Sequence, residues 1–228
     1  MLERYWSITS SLLPFLWQGF LETLYVSLVA IIAGSLIGAL IGLVRSQRVP
    51  VLTSIFGLYI HILRGTPFLV QLYVFYFVLP NTGISWLSWD SRTAAFVALS
   101  VYTSSYVAEI VKGAVEAVPR GQSEAATALG MTRLQRLWYV IIPQALKLTV
   151  PPMSGVYVMI IKSTAILSVV GISELTRQGE VSILRFPRDV LFIYGLIAFI
   201  YFLYCYPVLR FARWAERRVG AARTVDLD

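Results

Sequence analysis

Arg64 and Lys162 are the two cations that fall inside long runs of otherwise uncharged residues. A charge at the centre of a bilayer costs on the order of 2.5–3.5 kcal/mol on insertion scales, so it needs a partner or a wet cavity. Arg64 is followed by Gly65-Thr66-Pro67. Pro67 removes a backbone donor and frees a carbonyl one turn earlier. That break beside a cation, with Thr66 and Gln71 close by, could line a polar passage; the other reading is a strut in which Arg64 ties helices together. Lys162, with Ser163 and Thr164 next to it, could bind a solute carboxylate or gate a path, or serve as an internal ion pair or hydrogen-bonded strut. Glu109 and Lys112 stand three apart, a spacing that puts them on one helix face, so a structural salt bridge is expected there; Glu109 is also kept as a pathway candidate. The lone His61 and the lone Cys205 cannot build a multi-histidine or thiolate metal cluster, so no metal site is expected. No Gly-x-x-x-x-Gly-Lys-Ser/Thr loop is present to cradle phosphates. The chain is therefore expected to be no enzyme and to carry no cofactor, its energy coming from a partner or a gradient.

The elements that hold these residues follow from composition. Of 228 residues, 57% are hydrophobic and 14% charged, against about 25% charged in a soluble domain. That excludes a disordered chain and points to an all-α, polytopic membrane protein, one crossing needing about 20 residues. Uncharged runs predict crossings over 23–44, 52–79 (with Arg64 in its middle), 93–108, 148–171 and 190–209, five in all. Five crossings put the termini on opposite sides. Placing the C-terminus inside gives the inner side Arg45, Arg48, Lys112, Arg120, Arg133, Arg136, Lys147, Arg210, Arg213, Arg217, Arg218 and Arg223. The outer side then holds only Arg4, Arg92, Arg177, Arg185 and Arg188. The excess of inner cations predicts N-terminus out, C-terminus in. The net charge of +7 belongs to that asymmetry rather than to nucleic-acid binding. The N-terminus lacks the features of a cleaved signal peptide, and residues 1–18, with Pro14 and several aromatics, are expected to lie at the interface. The permease-sized body is 19–218 and the remainder, 219–228, a cytoplasmic tail. Tyr73, Phe75, Tyr76 and Phe77 read as lipid-facing and packing surface.

Two features inside this frame stand out. Gly34, Gly38 and Gly42 form a small-xxx-small ridge that allows close helix approach, within this chain or between subunits. The second is the connection over 113–147, about 35 residues and long enough to suggest function. Its core is a short helix at about 120–130. Gly121 is expected to cap it, Glu124 to reach back to the cap, Ala125 and Ala126 to form its body, and Gly130 to end it. Such a helix is marginal alone. It is either a connector packed on its own domain or a peg for a cytoplasmic partner. Residues 132–147 read as a basic amphipathic stretch along the inner interface, broken by Pro143.

At these residues a resemblance appears. Glu124-Ala125-Ala126, Thr127-Ala128-Leu129, Gly130 and then Ile142-Pro143 resemble the EAA signature of permease subunits of bacterial ATP-binding-cassette importers. Arg64-Gly65-Thr66-Pro67-Phe68-Leu69-Val70-Gln71 is similar to a block of the polar amino-acid branch (histidine and glutamine permeases). The same branch is matched by Tyr106-Val107-Ala108-Glu109-Ile110, Pro119-Arg120-Gly121-Gln122, Pro143-Gln144-Ala145-Leu146 and Glu174-Leu175-Thr176-Arg177. The resemblance as a whole extends over about residues 19–218. The resemblance implies a type I, MetI-like permease fold in the bacterial inner membrane. It implies that the short helix, through Gly121, Glu124, Ala125, Ala126, Leu129 and Gly130, couples to an ATPase dimer that binds ATP and Mg. It also implies a second permease copy or a paralogue, and an extracytoplasmic binding protein that delivers a polar amino acid. Opines, ectoine-like zwitterions and, further off, a gradient-driven carrier are the alternatives. One departure is clear: Lys162-Ser163-Thr164-Ala165-Ile166 stands where the branch often has Lys-Asp-Thr-Ser-Leu, so the acid beside the lysine is missing.

Overall fold

The computed structural model describes residues 2–47 and 49–225. Arg48 and the side chain of Arg223, both in the charge tally, lie outside the described residues, as do 226–228 of the expected tail. Every regular element among the described residues is helical. The helices are α1 (Leu2–Ser46), α2 (Pro50–Gly65), α3 (Phe68–Tyr73), α4 (Ser91–Glu116), α5 (Arg120–Ala128), α6 (Arg133–Arg136), α7 (Ile142–Ser163), α8 (Leu175–Arg185) and α9 (Val190–Val225). Four helical runs are long and apolar enough to cross a membrane: 3–46, 91–116, 133–170 and 190–218. A fifth candidate is the pair Pro50–Gly65 and Phe68–Thr82, bent by 108°.

That bend falls where Pro67 is expected to break the span over 52–79, and it turns the local break into two separate helices. Its cause is local. Thr66 and Pro67 are extended, at ψ 146° and 138°, because the proline ring disfavours helix at the residue before it and removes its own N–H. Gln71 holds the broken ends together. Its Nε2 donates to the Leu63 carbonyl (2.6 Å), the carbonyl that Pro67 leaves open, and to the Thr66 carbonyl and hydroxyl (both 3.0 Å).

A second difference lies at Pro143. The helix does not stop there but widens to a π-turn over Leu137–Ile141 and continues through α7 into a 3₁₀ run at Thr164–Val170. A π-turn over Val74–Val78 likewise precedes Pro80. In both cases the wider turn begins six residues before the proline, giving its ring room that an α-turn would deny.

A third difference lies at the N-terminus. α1 is unbroken from residue 2 to 46, so the segment expected at the interface and the first crossing are one continuous helix. At about 1.5 Å per residue it is roughly 68 Å long, about twice the hydrocarbon thickness. Ile8, Leu12 and Leu16, spaced one turn apart, bury against Leu175 of α8 and Ile193 and Ile197 of α9. Arg4 pairs with the buried Asp189 at 2.7 Å and Tyr5 packs on Phe192. The aromatic N-terminal segment is therefore clamped to its own chain.

The centre is the seam between α1 and α4. A Cβ added at Gly34 would lie 2.5 Å from Thr103 Cβ, at Gly38 2.6 Å from Val107 Cβ, and at Gly42 2.6 Å from the Ala108 carbonyl. The glycine ridge is thus spent on packing within the chain. Around it Val26, Ala30, Phe68, Leu72, Ala98, Leu99, Ile160 and Leu167 form the main apolar core.

Candidate functional site

The short helix α5 is built differently from its sequence reading at one end and as expected at the other. Its cap position is Pro119, which offers no side-chain acceptor; Gly121 sits inside the first turn. The Glu124 side chain is exposed and makes no reciprocal capping bond among the described residues. Proline fixes the entry angle instead, with φ −55° and ψ 134°. At the far end Gly130 is left-handed at φ 78°. The Met131 N–H donates to the Ala126 carbonyl (3.1 Å) and the Gly130 N–H to that of Thr127 (2.9 Å), the Schellman pair that closes a helix end. One residue later Thr132 opens α6 with a full capping box: Gln135 N–H donates to Thr132 Oγ1 (3.3 Å) and Thr132 N–H to Gln135 Oε1 (2.9 Å).

Two side-chain bonds fix α5 on the body. Arg136 Nη1 donates to Thr127 Oγ1 at 2.6 Å, and Gln144 Nε2 to Gln122 Oε1 at 3.3 Å. Ala126 is 3% exposed and faces the chain's own fold, whereas Leu129 is 79% exposed. Gly121, Glu124, Ala125 and Leu129 are exposed together on the opposite side. Helical periodicity puts them on one face. The expected contact set thus divides: four residues and Gly130 are presented outward, and Ala126 anchors them.

The intramembrane polar residues divide as well. Arg64 lies over the Tyr106 ring, 5.0 Å from its centre, a cation–π contact. With His61, Gly65 and Glu109 they line an open cavity of about 540 Å³. Glu109 does not pair with Lys112. It accepts from Arg45 Nη1 at 2.7 Å, across the α1–α4 seam, and Lys112 instead faces Glu116 at 3.9 Å. Thr66 and Gln71 serve the helix break, leaving Gln71 Oε1 buried without a partner among the described residues. Lys162 and Ser163 line another open cavity, about 490 Å³, with Gly155, Met159, Ile166 and Leu209 between α7 and α9. Ser163 Oγ donates to the Met159 carbonyl (2.9 Å). Thr164 is fully buried and bonds to the Ile161 carbonyl and the Tyr201 hydroxyl. Within this single chain the Arg64 group and the Lys162 group therefore line separate cavities.

Glu174 is a buried polar centre that reading by residue type passed over. It accepts from the N–H groups of Thr176 (2.9 Å) and Arg177 (2.8 Å), capping α8, and from the Tyr201 hydroxyl (3.0 Å). Tyr201 in turn meets Thr176 Oγ1 and Thr164 Oγ1. Burial pushes the Glu174 carboxyl above the usual carboxylate range, opposed by those hydrogen bonds. The acid just before Leu175-Thr176-Arg177 was the available signal for a cap; its burial came only with the packing of α9.

Comparison with known proteins places this geometry. The family described as binding-protein-dependent transport system inner membrane component matches residues 30–221. The glutamine transport system permease protein GlnP of Escherichia coli (strain K12) is 35% identical over 94% of this chain and 97% of its own length. The L-cystine transport system permease protein TcyB of Bacillus subtilis (strain 168) is 31% identical, over 93% and 89%. A crystal structure of an amino acid ABC transporter with histidines superimposes with a TM-score of 0.84 at 34% identity, over 94% of this chain and 98% of that one. An inward-facing MetNI methionine ABC transporter shares the fold, with a TM-score of 0.69 at 22% identity, over 89% and 97%.

Proposed function

Since the chain belongs to the family of binding-protein-dependent transport system inner membrane components, we propose that it forms the translocation path of an ATP-driven importer for polar amino acids. The observation that carries this reading is the outward face of α5, bounded at Pro119 and Gly130 and tied to the body by Arg136 and Gln144. Two cytoplasmic ATPase subunits, which bind ATP and Mg, grip that face in two permease copies, or in this chain and a paralogue. An extracytoplasmic binding protein delivers the solute. Closure of the ATPases draws the two α5 helices together and opens the path outward.

Counting the bent pair as one crossing gives five spans, with the N-terminus out and the C-terminus in. This puts Arg120, Arg133 and Arg136 on the cytoplasmic side. Arg64 and Lys162, the cations open to cavities, face the carboxylate of the passing solute; Thr66, Gln71, Ser163 and Thr164 hold the backbone that positions them, and Glu109 keeps the floor beside Arg64 charged through Arg45. The relatives' names support glutamine- and cystine-like solutes.

The test is uptake into proteoliposomes containing this chain, its ATPase and its binding protein. ATP-dependent accumulation of labelled glutamine or another polar amino acid is expected. Uptake that persists without the ATPase, or that is confined to an opine or ectoine, would contradict the reading. Sidedness is checked with an impermeant maleimide on Gln122→Cys in a Cys205→Ser background, which should react only from the ATPase side.

A further inference from the structure

A basic pocket flanks α5 on the side away from its outward face. It is an open cavity of about 310 Å³ whose polar rim includes Arg120, Arg133, Arg136, Ser46 and Ser123, with Val118, Leu137 and Ile141 at its apolar side. Three arginines line it. One acid, Glu116, also lines it, and that carboxylate already faces Lys112 at 3.9 Å. Among the described residues neither Arg120 nor Arg133 has a carboxylate within ion-pairing distance; Arg136 spends one nitrogen on Thr127. Two arginines without an ion-pairing carboxylate, beside a third at the rim of a hollow, suit an anion from outside, and arginine's planar fork suits phosphate oxygens.

The neighbourhood says which kind of anion. Trp138 and Tyr139, both exposed, follow directly on the α6 arginines, and Leu134 is exposed among them. Aromatic side chains of this kind favour the headgroup level. Leu137 and Ile141 offer the pocket an apolar wall on the side that runs into the long α7 span. A polar hollow with an apolar flank at the end of a crossing fits a phosphate that carries acyl chains.

We propose that this pocket binds the phosphodiester headgroup of an anionic phospholipid in the inner leaflet. The site lies on a different face of α5 from Gly121, Glu124, Ala125 and Leu129, so a lipid and an ATPase can occupy the helix at once. A bound headgroup bridges α5 to α6 and the end of α1, stiffening the mount through which α5 is moved. This inference rests on the reading that places residues 113–147 on the cytoplasmic side.

The experiment uses the assembled importer in mild detergent, titrated with phosphatidylglycerol or phosphatidylethanolamine and followed by native mass spectrometry. Wild type should retain phosphatidylglycerol in preference. Arg120→Gln/Arg133→Gln/Arg136→Gln should lose that preference, by about fivefold per arginine removed. Arg133→Gln alone, at an exposed position, gives the same direction if the triple variant fails to fold. Equal retention of the two lipids, or an unchanged preference in the variants, overturns the proposal. Displacement of phosphatidylglycerol by millimolar inorganic phosphate also overturns it, by assigning the pocket to a free anion. A wild-type complex that shows no lipid preference yet retains ATP-driven uptake would sink this inference alone and leave the importer reading standing.

Discussion

Glycine does opposite things in two regions of this molecule. On the α1–α4 seam Gly34, Gly38 and Gly42 are helical, and what they contribute is missing volume: an added Cβ would fall within 2.5–2.6 Å of the facing helix. At the end of α5 Gly130 has open space around it and a left-handed backbone, φ 78°. There it contributes a conformation that other residues adopt at a cost. One region is welded by close contact; the other is shaped by its backbone and left mostly in the open. On the reading proposed above, the difference separates what stays fixed during transport from what the ATPase grips.

Substitutions can break this contrast. The largest expected effect is Gly38→Leu, which drives a side chain into Val107 and the Ser104 carbonyl. Overpacking of this kind costs about 1–3 kcal/mol or more. Little folded protein should be recovered by size-exclusion chromatography in detergent. Glu124→Arg or Ala125→Trp should leave thermal stability within about 0.5 kcal/mol of wild type, as surface changes do, yet abolish solute-stimulated ATP hydrolysis. If they destabilise instead, the outward face is structural. Gly130→Ala meets no clash and should cost roughly 1–2 kcal/mol through the left-handed backbone alone, lowering coupling before it lowers yield. Thr132→Ala removes one half of the capping box and should cost about 1 kcal/mol, read as a modest drop in melting temperature.

The smallest expected effect is in pH dependence. Because the folded Glu174 pKa is raised by burial, the fold prefers the neutral acid. Its contribution is full below the ordinary glutamate pKa and declines as pH rises through the raised value. Melting temperature should therefore fall as pH rises above the ordinary glutamate range in wild type and fall less in Glu174→Gln. An identical profile in both would show that the Glu174–Tyr201 network carries no such linkage.

How much of this was legible in the sequence depends on the range of the interaction. The helical class, the glycine ridge and the Gly130 stop are local or periodic, and composition and spacing expose them. The break at Thr66-Pro67 was half legible: proline announced a freed carbonyl, but the 108° bend needs Gln71 to return and fill it. Glu109 shows the limit. Lys112 is its neighbour along the helix, yet Arg45, 64 positions away, is its partner, because the glycine seam draws α1 against α4. Ala126 could not be told from Ala125 in the sequence, since which alanine faces inward is set by the rest of the loop. The same holds for Glu174, whose burial depends on α9.

The most direct test is photo- or thiol-crosslinking from single cysteines at Ala125 and Ala126, in a Cys205→Ser background, to the ATPase of the assembled importer. A crosslink from position 125, rising or falling with ATP, and none from position 126 is the predicted result. Crosslinking from position 126 alone, or from neither position in a complex that still transports, would contradict the claim that the outward face of α5 is where the ATPase takes hold.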